Sequence, residues 1–213
     1  MKKTVCLLMF AAMMINLEAQ EIKSIALNPP DINSGLTVMQ AFSKRSSATE
    51  FTSEKLKLQD LSDLLWAANG INRKDSKKRT APSAMNSQDI DIYVFLEEGV
   101  YLYNASANSL DPVVSGDQRT LAAGRQNEVA KAAVILVMVS DISRFQNGDD
   151  KMKLSMAAMD AGIVSQNISV FCAGTGLLTR PRATMDQPKL KETLKLKDTQ
   201  YPLLNNPVSY PAK

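Results

Sequence analysis

Three separated segments carry residue types that suit a phosphate-bearing, ring-shaped cofactor. In Arg45-Ser46-Ser47-Ala48-Thr49-Glu50-Phe51 a guanidinium and several hydroxyls follow an amphipathic stretch, and such groups can converge on one phosphate. A solvent-exposed turn accounts for the same residues. In Arg79-Thr80-Ala81-Pro82-Ser83-Ala84-Met85-Asn86-Ser87-Gln88, the residues Pro82, Ser83, Ala84, Asn86 and Gln88 make a tight loop before a strand. Its backbone and amide groups could bond the edge of a flat ring, although an ordinary strand-entry turn has a similar composition. In Gly174-Thr175-Gly176-Leu177-Leu178-Thr179-Arg180-Pro181-Arg182, Gly174, Gly176 and Leu177 allow close approach of the backbone to a flat ligand. Arg182 would bring positive charge to one edge of that ligand. A helix end needs only one glycine, so two within three residues point mildly beyond capping.

Composition narrows the chemistry further. The chain has no His, which rules out His-containing triads and His-based metal sites. Its two cysteines are Cys6 and Cys172, and one thiolate alone builds no zinc site. No metal site is expected, and the chemistry falls to a cofactor, to carboxylates, to hydroxyls or to Lys and Arg. The formal charge is +3, and removing Lys2, Lys3 and Glu18 with the first nineteen residues takes it to +2, so nothing recommends a nucleic-acid partner.

The N-terminus has the three parts of a secretory signal: Lys2 and Lys3, an apolar run from Thr4 to Ile15, and Leu17-Glu18-Ala19 before Gln20. Residues 1–19 read as a signal peptide cleaved near Ala19, which makes the protein exported and periplasmic. An N-terminal core helix is the alternative. The run is too short to span a bilayer, so no membrane insertion is expected after cleavage. Cleavage would leave Cys172 alone and exclude an intramolecular disulfide.

The elements that must position the three segments follow from periodicity. Residues 20–35, with Pro29-Pro30, form an extended lead-in, and 36–213 form one domain. Leu36, Met39 and Phe42 share a helical face. Leu58, Leu61, Leu64, Leu65 and Ala68 repeat that period up to Gly70. Ile71 to Thr80 is a basic, solvated loop. Ile90, Ile92, Val94 and Leu96 alternate into a hairpin that returns through Val100 to Asn104, with a short strand at Pro112 to Val114. Arg119 to Lys131 reads as a helix, and Ala132 to Ser140 as a strand buried on both faces. After Asn147-Gly148-Asp149 a helix runs to about Ala173, apolar nearly all round. Pro188 to Leu196 is a short helix, and Tyr201 to Lys213 an extended tail with three prolines.

Taken in order, the three segments, Leu61-Ser62-Asp63-Leu64-Leu65-Trp66-Ala67-Ala68-Asn69-Gly70 and Gly162-Ile163-Val164-Ser165-Gln166-Asn167-Ile168 resemble the nitroreductase family, in particular its SagB-type dehydrogenase-like branch. The resemblance spans about Leu36 to Pro211. It implies an α+β fold with a mainly antiparallel central sheet flanked by helices, and a homodimer with two FMN sites at the subunit interface. The family's Arg-x-Ser-x-Arg/Lys-x-Phe phosphate pattern is matched by Arg45, Ser47 and Phe51, with Ser46 beside them. Thr49 stands where a second basic residue is usual and supplies a neutral hydrogen bond in place of a charge-assisted one. The Pro-Ser-x-x-Asn-x-Gln loop, which reaches FMN from one subunit, is matched by Pro82, Ser83, Asn86 and Gln88. Asp117 and Arg119 match a Gly-Asp-x-Arg element and read as structural. The implied activity is electron transfer through FMN between a small-molecule substrate, or NAD(P)H, and a small organic acceptor. The alternative is a flavin-free, degenerate relative that keeps the fold as an exported binding or structural module.

Overall fold

Strand-favouring residues with no solvated face must lie between two layers, and the run Val134–Asp141 is buried at every position. The computed structural model describes residues 22–213, and the reading of residues 1–19 as a signal peptide lies outside them. In chain order the elements are β1 (Ile25–Ala26), α1 (Val38–Lys44), α2 (Leu58–Asn69), β2 (Ile71–Arg73), β3 (Lys78–Arg79), β4 (Ile90–Phe95), β5 (Gly99–Asn104), β6 (Ser109–Ser115), α3 (Arg119–Ala123), α4 (Asn127–Ala130), β7 (Val134–Asp141), α5 (Asp150–Thr175), β8 (Leu178–Thr179), α6 (Gln187–Thr193) and β9 (Gln200–Ser209). Seven strands form one sheet in the order β1-β6-β5-β4-β7-β9-β8, every neighbouring pair antiparallel. This is the expected α+β architecture.

Alternation along the central strands sorts the core into two layers. Ile92 and Val94 of β4, with Leu136 and Met138 of β7, face Leu61, Leu64, Leu65 and Ala68 of α2 and Ala161, Val164 and Ile168 of α5. The intervening Tyr93, Phe95, Ile135 and Val137 face the other way, onto Ala122, Val129 and Leu190 of α3, α4 and α6. A one-residue slip would exchange the two sets, so both layers fix the register.

α5 starts where Asp149 accepts a hydrogen bond from the Met152 amide at 2.8 Å. It ends at Gly176, whose left-handed φ of 79° suits glycine. Its buried stripe repeats through Ala157, Ala161, Val164, Ile168 and Cys172, yet Met152, Met159 and Ile163 on the opposite side are exposed. No helix among the described residues is long and apolar enough to cross a membrane.

Four elements differ from the expectations. Ile71 to Thr80 folds into the β2–β3 hairpin, because Arg73 donates to the Arg79 carbonyl and Thr80 bonds back to Gly70. Arg119 to Lys131 breaks into α3 and α4 at Gly124, where φ is 63°. The short strand at Pro112 to Val114 extends to Ser109–Ser115, paired with both β5 and β1. The tail from Tyr201 becomes β9, laid between β7 and β8.

Candidate functional site

The loop between β3 and β4 is the most constrained turn in the molecule's upper layer. Met85, Asn86 and Gln88 all take left-handed φ, at 53°, 52° and 48°, and none is glycine. Such residues cost roughly 1–2 kcal/mol each, so something must over-determine the turn. The Ala84 amide donates to both carboxylate oxygens of Asp160 on α5, at 3.1 and 2.9 Å. The Gln88 amide donates to Ser83 Oγ at 2.9 Å, and Ser87 Oγ donates to Asp89 at 3.1 Å. Arg79 holds Gln88 Oε1, while Gln88 Nε2 donates to the Lys77 carbonyl. The side chain of Gln88 is therefore engaged within its own chain. Pro82 and Asn86 are exposed on the loop, with Ser83 and Ala84 half-buried beneath them.

Two buried carboxyls lie under this loop. Asp89 is fully buried and accepts from Ser87 Oγ and Ser140 Oγ, and Asp160, 3% exposed, sits within hydrogen-bonding reach of it. Burial pushes the Asp160 carboxyl well above the ordinary carboxylate range, and the neighbouring Asp89 adds to the shift, against the Ala84 bond. Sequence reasoning missed this pair, since Asp89 and Asp160 are far apart in the chain and neither stands in a recognisable motif.

The second group lies at the far end of α5. α1 is closed at its start by a Thr37–Gln40 capping box, so that Lys44 is its last residue and the chain leaves it at Arg45. Arg45, Ser46 and Ser47 are exposed, and the Ala48 amide then pins the segment to the Thr179 carbonyl at 2.9 Å. Phe51 anchors it in the lower core. A hollow of about 190 Å³ opens here, lined by Lys44, Ser46, Cys172, Gly176, Leu177 and Thr179 among others. A Cβ built on Gly176 would meet nothing within 4 Å. Gly174 differs: a Cβ there would lie in ordinary contact, 3.5 Å from Ala41, and its carbonyl accepts from the Leu36 amide, so it faces α1 and the chain leading into it. Lys44 was missed in the sequence, although its place directly before Arg45 is a usable signal. Thr49 is exposed.

Arg182 is engaged within its own chain. It is 8% exposed, and its guanidinium donates to the carbonyls of Ala122 and Ala123 at the end of α3 and to Asn205 Oδ1. The expectation of positive charge at a ring edge gives way to a cap on a helix C-terminus, where carbonyls lack partners and positive charge is favourable. Asp117 and Arg119 form a structural pair at 2.6 Å, with Arg119 also reaching the Ala132 carbonyl ahead of β7.

Cation, hydroxyl and open backbone are thus gathered at one end of α5, and the tight loop at the other. The hollow under the loop includes Asp160 and Val164, the phosphate-like hollow Ser169 and Cys172, and the two share no residue. From Asp160 to Cys172 the helix rises about 18 Å. One chain therefore does not bring the two groups into one pocket. Between and around them lies apolar surface: Met152, Met159 and Ile163 on α5, and Val38, Met39 and Phe42 on α1, with Met39 77% exposed. A larger cleft of about 490 Å³, beside Leu56, Leu61 and Leu96, is bordered by Arg119 but contains none of the residues of the three segments expected at a cofactor.

A model of the nitroreductase family matches residues 42–208. A protein of Methanocaldococcus jannaschii assigned as a nitroreductase is 31% identical over 188 residues, which is 84% of this chain and 93% of that protein. The crystal structure of a protein of Ralstonia eutropha JMP134, also assigned as a nitroreductase, is 33% identical with a TM-score of 0.84, covering 90% of this chain and 91% of its own. A chain of the Escherichia coli microcin synthetase complex shares the fold at 19% identity and a TM-score of 0.70, covering 99% of this chain and 85% of its own.

Proposed function

Because this chain belongs to the nitroreductase family and is a flavin-dependent oxidoreductase, we propose that two copies of it bind FMN between them, each copy supplying half of each site. The observation that carries this reading is the separation of complementary groups along α5. A two-fold axis across the exposed side of α5 sets the loop end of one copy against the phosphate-like end of the other, and buries the apolar stripe in the same step. Unpaired methionines and a phenylalanine over two adjoining helices are what a homodimer interface would cover.

The residues fit the phosphate end of FMN. Lys44 and Ser46 line the hollow with a positive charge and a hydroxyl, the exposed Arg45 and Ser47 beside them would turn to the phosphate, and open space stands over Gly176 and Leu177. Pro82, Ser83, Ala84 and Asn86 of the partner subunit would border the ring. Bound flavin supplies the two-electron transfer that side chains cannot perform. The protein's own residues hold the phosphate, fix the ring's edge and exclude water from one face. NAD(P)H or a small organic substrate would give electrons, and a small organic acceptor would take them. The five ordered motifs support the SagB-type dehydrogenase-like branch, and the Lys2-Lys3 start with its apolar run supports export to the periplasm.

The test is direct. Purified protein should be yellow and dimeric by light scattering, and anaerobic NADH, NADPH or an oxidisable substrate should bleach the flavin. Colourless protein that ignores added FMN would favour the flavin-free binding module instead.

A further inference from the structure

We propose that Asp160, together with Asp89, is the positioning residue that clamps the Ala84–Gln88 turn for the cofactor. The inference rests on the flavin reading only for what the turn is used for.

The two carboxyls grip the turn from opposite ends. Asp160 accepts from the Ala84 amide where the turn begins, and Asp89 accepts from Ser87 Oγ where it ends. Asp89 is tied in addition to Ser140 on β7, so the clamp is braced against the central strand. Contact between Asp89 and Asp160 closes a ring around three residues held in left-handed conformations. Asp89 ends the same short segment, and its carbonyl accepts from the Asp141 amide, so it is no freer to move than Asp160 on its helix.

The charged groups around the pair do not neutralise it. Arg79 of β3 borders the same hollow as Asp160, but its guanidinium is occupied by Gln88 Oε1 and the Asn69 carbonyl. Arg144, after β7, donates to Asp91 of β4 and to the Gln88 carbonyl, and lies near Asp141. Neither arginine bonds Asp89 or Asp160, although the Arg144 charge is near enough to attract Asp89, and the other charged neighbours, Asp91 and Asp141, are acidic. Burial, with Asp89 alongside, keeps the Asp160 carboxyl protonated well above the ordinary carboxylate range. Losing that proton drives the two anchors apart. Since one anchor holds Ala84 and the other Ser87, separation opens the turn from both sides.

Asp160→Asn separates clamp from titration: its carbonyl still accepts from Ala84, and its amide donates permanently to the Asp89 carboxylate. Amide exchange at Ala84 and through Gln88 is followed in the cofactor-free protein from about pH 6 to about pH 9, corrected for intrinsic rates, with FMN affinity measured in parallel. In the wild type, Ala84 protection and FMN affinity should both fall on the order of tenfold as pH rises. Asp160→Asn should stay protected and bind FMN at every pH. Asp160→Ala should lose both throughout, and if it fails to fold the asparagine variant decides alone. Equal pH responses in wild type and Asp160→Asn overturn the clamp, as does protection that titrates while FMN affinity stays flat. If the wild type binds no FMN at any pH, the flavin reading falls and the exchange data alone judge the clamp.

Discussion

Arg182 and Asn205 bind each other three times: each backbone amide donates to the other's carbonyl, at 2.9 and 2.7 Å, and the Arg182 guanidinium donates to Asn205 Oδ1 at 2.8 Å. The pairing fixes the strand edge where β9 has no β8 beside it, and ties that edge to the end of α3. Arg182→Leu removes the guanidinium donor from the Ala122 carbonyl and from Asn205 Oδ1, and leaves the Ala123 carbonyl only its bond from the Gln126 amide, which should cost about 3 kcal/mol of stability in urea unfolding. A variant that unfolds like the wild type but has lost FMN affinity would return Arg182 to the cofactor.

Arg45 is exposed and bonds the core only through its backbone amide, to the Ala41 carbonyl, so removal of its side chain should separate binding from folding. Arg45→Ala is expected to weaken FMN binding by about 1.5–3 kcal/mol, the worth of a charge-assisted bond, with unfolding unchanged. Titration by flavin fluorescence reads the effect, and an unaltered dissociation constant removes Arg45 from the phosphate site.

Thr49 stands where the family resemblance implies a second base. Thr49→Lys should tighten FMN binding by about 1 kcal/mol at low salt and by less at high salt, because an exposed charge is screened. Equal affinities for the two proteins across the salt range would show that position 49 does not face the phosphate.

Met159 and Ile163 lie on the bare side of α5. A charge there meets water in a monomer but is buried without a partner in a dimer. Ile163→Glu should therefore yield a folded monomer, by light scattering and circular dichroism, that no longer retains flavin. Retention of flavin by that verified monomer would defeat the two-copy site.

Asp160 also gives stability a pH dependence with an unusual sign. Its folded carboxyl is raised, to about 7, by burial and by Asp89, so the folded protein holds a proton that the unfolded chain releases at the ordinary carboxylate value. The stabilisation is full below that ordinary value and declines as pH rises towards about 7. Thermal unfolding of Asp160→Asn should lack this decline, and identical slopes for both proteins would assign it to other groups.

What the sequence revealed depended on locality. Leu61, Leu64, Leu65 and Ala68 repeat within one helix, and Val134 to Ser140 are uniformly apolar, so α2 and β7 were readable from neighbours alone. β9 was not, because Pro202 and Pro207 argue against a strand. They are tolerated because β8 covers only Val208 and Ser209 and because the register with β7 shifts near Pro202. At the far end of α5, Ser46, Gly176 and Leu177, which residue type and spacing singled out, line one hollow. The duties of Arg182, Gly174 and Gln88 were not legible, since each is set by a carbonyl, a helix or a guanidinium distant in sequence.

The insertion of β9 between β7 and β8 has a bearing on synthesis. While the ribosome is still making α5 and α6, β7 can pair with β4 but its other edge, apolar for most of its length, has no partner. An open edge of that kind invites pairing with other nascent chains. The sheet can close only after Gln200 to Ser209 has emerged, so the polypeptide spends most of its translation incompletely folded and dependent on whatever shields it.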